Sequence, residues 1–394
     1  MSPCYVLCKR LQGLYDSALL GTQGGLVVDS PPTIYDVAKK AGVSIATVSR
    51  ALNSLSTVRP STRAKVVAAM EELQFVPNSV ARRLSSGKHW ILGLVFMRAP
   101  VENDVLAVEE ASLLYTDIVI RGAETRAAER GYSLLLSSAD ETHPSGMASI
   151  LSLTGTVDGL ILLDRVLGDD DVADLARRTP VVLLAGKGDS PSAVTIRVDN
   201  EKAMRGLAEH LVNVHGIVHV GFVAGASQSP DSSARASAFR EAITELGGRL
   251  DDADMLDGDW TLAGGEAAMQ LRMKSGEPLP QAFACANDQM AIGVIYALNA
   301  SGLKVPDDIV VTGFDDITVT RYFNPPLTTI RQSGKLLAEV AVDALVAMLD
   351  GSKEVERTIV MPTELVVRAS CGCVEEPEMR GTFSEPPTPQ REVG

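Results

Sequence analysis

A chain of 394 residues, 45% of them hydrophobic, is too long for one core and too apolar for a disordered chain, so roughly two or three domains are expected. No run of about 20 apolar residues could span a bilayer, and Lys9 and Arg10 interrupt the place where a signal peptide needs its apolar core, which sets membrane and exported classes aside. The net charge of −14 is unevenly spread: Thr33–Trp90 holds nine basic residues against three acidic, a balance of +6, while the rest carries −20, so a polyanion is expected to dock at one end only.

Residues 1–32 carry no structure-like pattern and are expected to be a disordered leader or an over-extended start. Helix signals open at Thr33, whose hydroxyl suits an N-cap with Asp36 answering three residues on. Ile34, Val37, Ala38 and Ala41 then form one apolar stripe that Gly42 stops. Ser44 caps a second short helix carrying Val48, Ala51 and Leu52 and ending near Asn53. Two helices joined by Gly42-Val43-Ser44 make a helix-turn-helix, with Ala38 small enough to let them cross closely. A third helix follows Ser61, with Val66, Val67, Met70 and Leu73 expected on its inner face, and completes an all-α head over residues 33–76. Pro77–Leu84 has too few apolar positions to fold alone and predicts a hinge helix and linker over 77–89.

From Ile91 the pattern changes to apolar strands alternating with amphipathic helices. Strands are predicted at Ile91–Met97, Tyr132–Leu136, Gly159–Leu163, Val181–Leu184, His219–Ala224, Ala282–Ala286 and Ile309–Gly313. Helices are predicted at Asp117–Gly131, Asn200–Val214, Asp231–Gly247, Thr261–Lys274 and Asp288–Gly302. Buried strands with helical crossovers imply parallel sheets covered on both faces. Seven or more units exceed one sheet, so two doubly wound α/β lobes with a cleft between them are expected. The N-terminal lobe takes 90–198 with 332–368 and the C-terminal lobe 199–331, leaving 369–394 as a disordered tail.

Five cysteines, an odd number, read as reduced thiols in a cytoplasmic protein. Neither Cys4/Cys8 nor Cys371/Cys373 has a second pair at metal-ligand spacing, and His210, His215 and His219 bracket a helix end, where the dipole accounts for them. No metal and no cofactor are therefore expected. No Ser/His/Asp, HExxH, P-loop or GxGxxG pattern sits on a strand-turn-helix, so the chain does not read as an enzyme.

Thr33-Ile34-Tyr35-Asp36-Val37-Ala38, continuing through Ala41-Gly42-Val43-Ser44 and Thr47-Val48-Ser49-Arg50 to Leu52-Asn53, closely resembles the DNA-binding head of the lactose-repressor (LacI/GalR) family. The resemblance continues through Pro77–Leu84, Asn287-Asp288-Gln289-Met290-Ala291, Gly313-Phe314-Asp315-Asp316 and Pro325–Ile330, and covers about Thr33 to Arg368. It implies a periplasmic-binding-protein-like sensor attached to the head. It also implies a homodimeric repressor that binds a pseudo-palindromic operator in double-stranded DNA under control of a small effector. A carbohydrate is the effector expected. The C-terminal tail lacks a leucine heptad for a tetramerising bundle, which keeps the expectation at dimers.

In a helix-turn-helix the second helix enters the major groove N-terminus first, which points Ile45, Ala46 and Arg50 at base edges, with the Arg50 fork suited to guanine O6 and N7. Thr33, Ser44, Thr47, Ser49 and Asn53 are short polar groups placed for phosphates; at Thr33 and Ser44 one hydroxyl can both cap and contact. By the resemblance, Asn78, Ala81, Arg82 and Leu84 enter the minor groove, Leu84 as an apolar wedge; packing under the sensor lobe is the alternative for that leucine.

Ligands of doubly wound lobes bind at the carboxyl ends of strands, where Asp288 and Asp315 suit the hydroxyls of a polyol. By the resemblance, Arg235 and Trp260 join them as effector contacts. A helix cap is the alternative for Asp288, and core packing for Trp260. Two departures touch the N-terminal lobe. Arg98–Thr116 replaces the family's Asn-Pro-Phe-Phe segment, and Ala185–Gly188 replaces an acidic-basic pair, so effector identity stays open. The rival reading is a non-catalytic sugar-binding protein of periplasmic type, which shares the two lobes but needs export and has no basic head.

Overall fold

The computed structural model describes residues 32–53, 58–75, 87–97, 114–139, 146–163, 167–185, 190, 192–352 and 354–373. The chain forms two units that divide between Gly87 and Lys88.

The first unit is helical. It contains α1 (Ile34–Ala41), α2 (Ile45–Asn53) and α3 (Pro60–Leu73). Gly42 ends α1 at φ +67°, a left-handed value that glycine adopts without strain, and its amide returns to the Ala38 carbonyl. Val37, Ala38, Val48, Ala51, Val66 and Ala69 form the small core. The inner face of α3 therefore runs through Val66 and Ala69, whereas Val67, expected inside, is 45% exposed: neighbours on a helix point about 100° apart, and only one of the two valines can face in.

The second unit is two α/β lobes. The chain runs β1 (Ile91–Met97), α4 (Leu114–Glu129), β2 (Ser133–Ala139), α5 (Gly146–Leu153), β3 (Gly159–Leu163), α6 (Asp169–Ala176), β4 (Val181–Leu184) and β5 (Val194–Val198). It then crosses to the second lobe through α7 (Asn200–Glu209), which continues as one turn of π-helix at His210–Val214. Next come β6 (Val220–Ala224), α8 (Pro230–Glu245), β7 (Met255–Asp257), α9 (Leu262–Lys274), β8 (Ala282–Cys285), α10 (Asp288–Ala300), β9 (Val310–Asp315) and β10 (Thr328–Arg331). The chain returns through α11 (Gly334–Leu349) to β11 (Thr358–Met361), and crosses a third time to β12 (Glu364–Val366).

The two sheets share one plan. The N-terminal order is β11-β5-β4-β3-β1-β2, and the C-terminal order β12-β10-β9-β8-β6-β7. All pairs are parallel except β10 with β12. Burial on both faces explains the near-continuous apolar runs of β1, β3 and β4. Caps set the helix starts: Asp199 accepts from the Lys202 amide, Ser229 from Ser232, Thr261 from Gly264, Asn287 from Met290 and Ser333 from Leu336.

The two-lobe, doubly wound fold with a helical head is as expected, and two expected boundaries need correction. Residues 332–368 do not all belong to the N-terminal lobe, because β12 pairs with β10 in the other sheet. Residues 369–394 are not a tail from their first residue, because Ala369–Cys371 forms a 3-10 turn with Ser370 and Cys371 buried. The Ser370 hydroxyl donates to the Val311 carbonyl at 2.6 Å and accepts the Thr328 amide at 2.8 Å, which ties this turn to the C-terminal sheet.

Candidate functional site

On the head, Thr33 and Asp36 form the expected capping box, with the Thr33 amide and hydroxyl 2.8 and 2.7 Å from one Asp36 oxygen. Those bonds hold the Asp36 carboxyl below its ordinary range. Ser44 precedes α2; its hydroxyl lies 2.9 Å from that of Thr47 and accepts the Thr47 amide at 3.2 Å. Ile45, Ala46 and Arg50 all lie exposed along α2, while Val48 and Ala51 turn inward. The Arg50 Nε donates to the Ala46 carbonyl at 3.2 Å, which folds the guanidinium along its own helix. Ser49 is partly exposed beside them. Tyr35, 67% exposed, was not singled out from sequence; a large exposed aromatic beside a capping box was the available signal. The side chain of Asn53, and all of Asn78, Ala81, Arg82 and Leu84, lie outside the described residues.

In the body, the carboxyl ends of β6, β8 and β9 converge on one cluster. Arg235 of α8 is 2% exposed. Its Nε donates to Asn200 Oδ1 at 2.9 Å and its Nη1 to the Ala286 carbonyl at 2.7 Å. Its guanidinium lies over the Phe314 ring, 3.6 Å from the centroid, and 5.8 Å from that of Trp260. Trp260 adopts φ +76°. Its ring covers Gly225, where a Cβ would stand 2.3 Å from the indole.

Asp315 ends β9 at φ +112° and accepts from Gln332 Nε2 at 2.5 Å. Burial raises its carboxyl to about 7, against the pull of Arg235 and the Gln332 bond. Tyr115, at the start of α4 in the other lobe, shares this field: burial pushes its phenol up, and the Asp315 and Asp231 charges add to that. Asn200, Gln332 and Tyr115 were missed from sequence because each reaches the cluster from a lobe crossing or from the far lobe.

Asp288 departs from the expected role. It has no exposed surface. One oxygen accepts the Thr329 hydroxyl at 2.5 Å and the other the Ile317 amide at 2.9 Å, and burial raises its carboxyl well above the ordinary value. The alternative of a helix cap also falls, because Asn287 caps α10. Asp288 instead clamps the segment after β9 and positions Asp315.

Asp316, at φ +55°, is a second clamp. Arg368 and Arg331 reach it at 2.5 and 2.7 Å. Burial opposes its charge, but these two bonds overcome burial and keep the carboxyl below its ordinary range.

Two groups of metal-ligating side chains occur among the described residues. His219, Asp251 and Asp254 are engaged with arginines, notably Arg272 at 2.8 Å from Asp254. His210 and His215 meet Cys371 and Cys373, all four ligand atoms within 4.8 Å. The expectation that this cysteine pair has no partner is thereby corrected: the partner lies 161 residues away in sequence. Burial works against charge on both thiols. At Cys371 the bond with His210 overcomes it and brings the thiol to about 6, while Cys373 stays raised at about 11.

Residues 33–78 match the family model of bacterial regulatory proteins, lacI family, and residues 208–371 match a periplasmic binding protein-like domain. Over 342 residues, 86% of this chain and 90% of the relative, the identity to the lactose operon repressor of Escherichia coli strain K12 is 32%. Identity is 30% over 341 residues to catabolite control protein A of Priestia megaterium, covering 86% and 98%. The solved lac repressor dimer bound to operator and the anti-inducer ONPF aligns at a TM-score of 0.70 with 30% identity, covering 87% of this chain and 99% of that one. A complex of the regulator CelR with cellobiose aligns at 0.62 with 28% identity, covering 86% and 99%.

Proposed function

The chain belongs to the lacI family of bacterial regulatory proteins, which bind DNA and regulate transcription, and from that membership we propose a homodimeric repressor whose operator affinity is set by a carbohydrate in the cleft. The head match at residues 33–78 leaves no place for the rival periplasmic sugar-binding protein.

One observation carries the effector reading: a buried guanidinium, Arg235, lies 5.8 Å from the Trp260 ring and within the electrostatic reach of a buried carboxyl, Asp315, at the carboxyl ends of the strands. The carboxylate accepts from vicinal hydroxyls, the guanidinium donates to ring and hydroxyl oxygens, and the indole covers the apolar face of a pyranose. Tyr115 from the opposite lobe supplies a further donor, so a ligand bridging both sides favours one lobe arrangement. Only such a difference in affinity between arrangements shifts DNA binding. On the DNA side Ile45, Ala46 and Arg50 read bases, Thr33, Ser44, Thr47, Ser49 and Asn53 hold phosphates, and Asn78, Ala81, Arg82 and Leu84 enter the minor groove. Each head takes one half of the palindrome because the dimer's symmetry requires it.

Thermal-shift screening of the full chain against mono- and disaccharides and nucleosides tests the effector. A sugar at 100 times its Kd should stabilise by about 2.7 kcal/mol; stabilisation by nucleosides alone would overturn the carbohydrate assignment. Affinity for the chain's own upstream DNA should fall steeply with salt. Arg50→Ala should cost about 1–3 kcal/mol and relax specificity at one base pair. Unchanged base preference would remove Arg50 from the readers.

A further inference from the structure

We propose that His210, His215, Cys371 and Cys373 form a structural zinc site that staples the end of the C-terminal lobe's first helix to residues 369–373. The distances carry it. His210 Nε2 lies 3.2 Å from His215 Nε2 and 3.4 Å from Cys371 Sγ, and Cys373 Sγ lies 3.4 Å from His215 Nε2 and 3.9 Å from His210 Nε2. With zinc bonds of about 2.3 Å to sulfur and about 2.05 Å to nitrogen, a tetrahedron has edges of about 3.3 Å between nitrogens and about 3.6 Å between nitrogen and sulfur. Four of the six edges thus already lie within about 0.3 Å of such a tetrahedron, and all four ligand atoms fall within 4.8 Å of one another. The two imidazoles meet edge-on at 76°, both presenting Nε2 to the same point.

The backbone is arranged for this meeting. In a regular α-helix, residues five apart point about 140° away from one another. The π-turn at His210–Val214 widens the helix and carries His210 and His215 to one side; single π-turns of this kind concentrate at functional positions. On the other strand of the staple, Gly372 adopts φ +91°, which lets both flanking sulfurs turn toward the histidines. The donor set selects the ion. Two thiolates and two imidazoles in tetrahedral array suit zinc and give a neutral site once Zn²⁺ has displaced the two thiol protons.

The staple has a consequence for the lobe. Cys371 lies three residues beyond Arg368, whose guanidinium clamps Asp316 next to Asp315. Zinc would thus secure the anchor of the segment on which the cleft carboxylate stands.

The test uses the full chain purified under reducing conditions from zinc-supplemented cells. Elemental analysis should find one zinc per chain, and His215→Ala and Cys373→Ser should each lose it. Both replace half-buried side chains, so retained helical circular dichroism separates ligand loss from unfolding. Cobalt added to chelator-stripped protein should give the intense visible bands and thiolate charge transfer of a tetrahedral sulfur site. Chelation of the wild type should speed amide exchange in residues 366–373, with no such change in Cys373→Ser. Zinc absent from the wild type, cobalt spectra without thiolate bands, or a Cys371–Cys373 disulfide in the native protein would overturn the proposal.

Discussion

The two lobes are built on the same strand order, yet their interiors differ in kind. Among the described residues, the buried polar side chains of the N-terminal sheet and its helices are Thr179 and Thr195. The C-terminal lobe buries Arg235, Asp254, Arg272, Asp288, Asp315 and Arg368, with Thr320, Thr328, Thr329 and Ser370 bonded among them. Topology alone therefore does not dictate what a core contains. In the C-terminal lobe the charges hold Asp315 and Asp316 in left-handed conformations that cost roughly 1–3 kcal/mol each for non-glycine residues. Opposed clamps, Asp288 on one side and Arg368 on the other, keep that segment in place, with Asp315 held beside the charge of Arg235.

The sharpest way to break this contrast is to cut the network. Arg368→Leu leaves Asp316 short of its closest cation and strands the Leu327 carbonyl. It should destabilise the C-terminal lobe by about 3–5 kcal/mol in urea unfolding, and a loss under about 1 kcal/mol would show that the charges do not hold the segment.

Next in size is Gly225→Ala, whose methyl group would displace the Trp260 ring. Overpacking of about 1–3 kcal/mol is expected, together with loss of the sugar-induced thermal shift; a full response would remove Trp260 from the cleft's recognition face.

The pH dependence of Asp315 is spread over several pH units rather than concentrated in one loss. Its folded carboxyl, near 7, lies above the ordinary 3.8, so between those values the native protein holds a proton that the unfolded chain has released. Stability relative to Asp315→Asn should accordingly decline as pH rises from about 4 to about 7, by at most about 1.4 kcal/mol per pH unit, and level off above. Parallel melting curves for the two proteins would disprove the raised carboxyl.

On the apolar side, Ile161→Val in β3 removes one buried methylene from a site with no exposed surface. It should cost about 0.5–1.5 kcal/mol by thermal denaturation and leave effector and operator binding unchanged.

The sites were unequally legible in the sequence. The head was nearly complete: the capping box, the Gly42 stop and the Ala38 crossing are local features, and the structure reproduces each. Trp260 and Arg235 do come together, with 5.8 Å between guanidinium and ring centroid, whereas Asp288, expected beside them, is fully buried against Thr329 and Ile317. Adjacent Asn287 and Asp288 both suit a cap, and which one takes it depends on Thr329 and Ile317, 41 and 29 residues away, which engage Asp288 and leave the cap to Asn287. Strand β10 was missed because polar Thr328 and Thr329 stand where the other predicted strands run apolar, yet both are buried once Arg368 and Asp288 bond their hydroxyls. The histidine and cysteine pairs were dismissed separately, because a period of 3.6 residues sends His210 and His215 to different faces and only the π-turn joins them.

What the sequence by itself determined is everything carried by short-range periodicity and capping: a helix-turn-helix head with its exposed Ile45, Ala46 and Arg50, parallel strands wound into two lobes, and a basic end on an acidic body. Only the tertiary structure decided which buried polar groups satisfy one another, where the last crossing returns the chain to the C-terminal lobe, and which ligand atoms converge. The physical reason is the same in each case. A buried charge or thiol takes its state from partners brought near by folding, and those partners lie tens to hundreds of residues away along the chain.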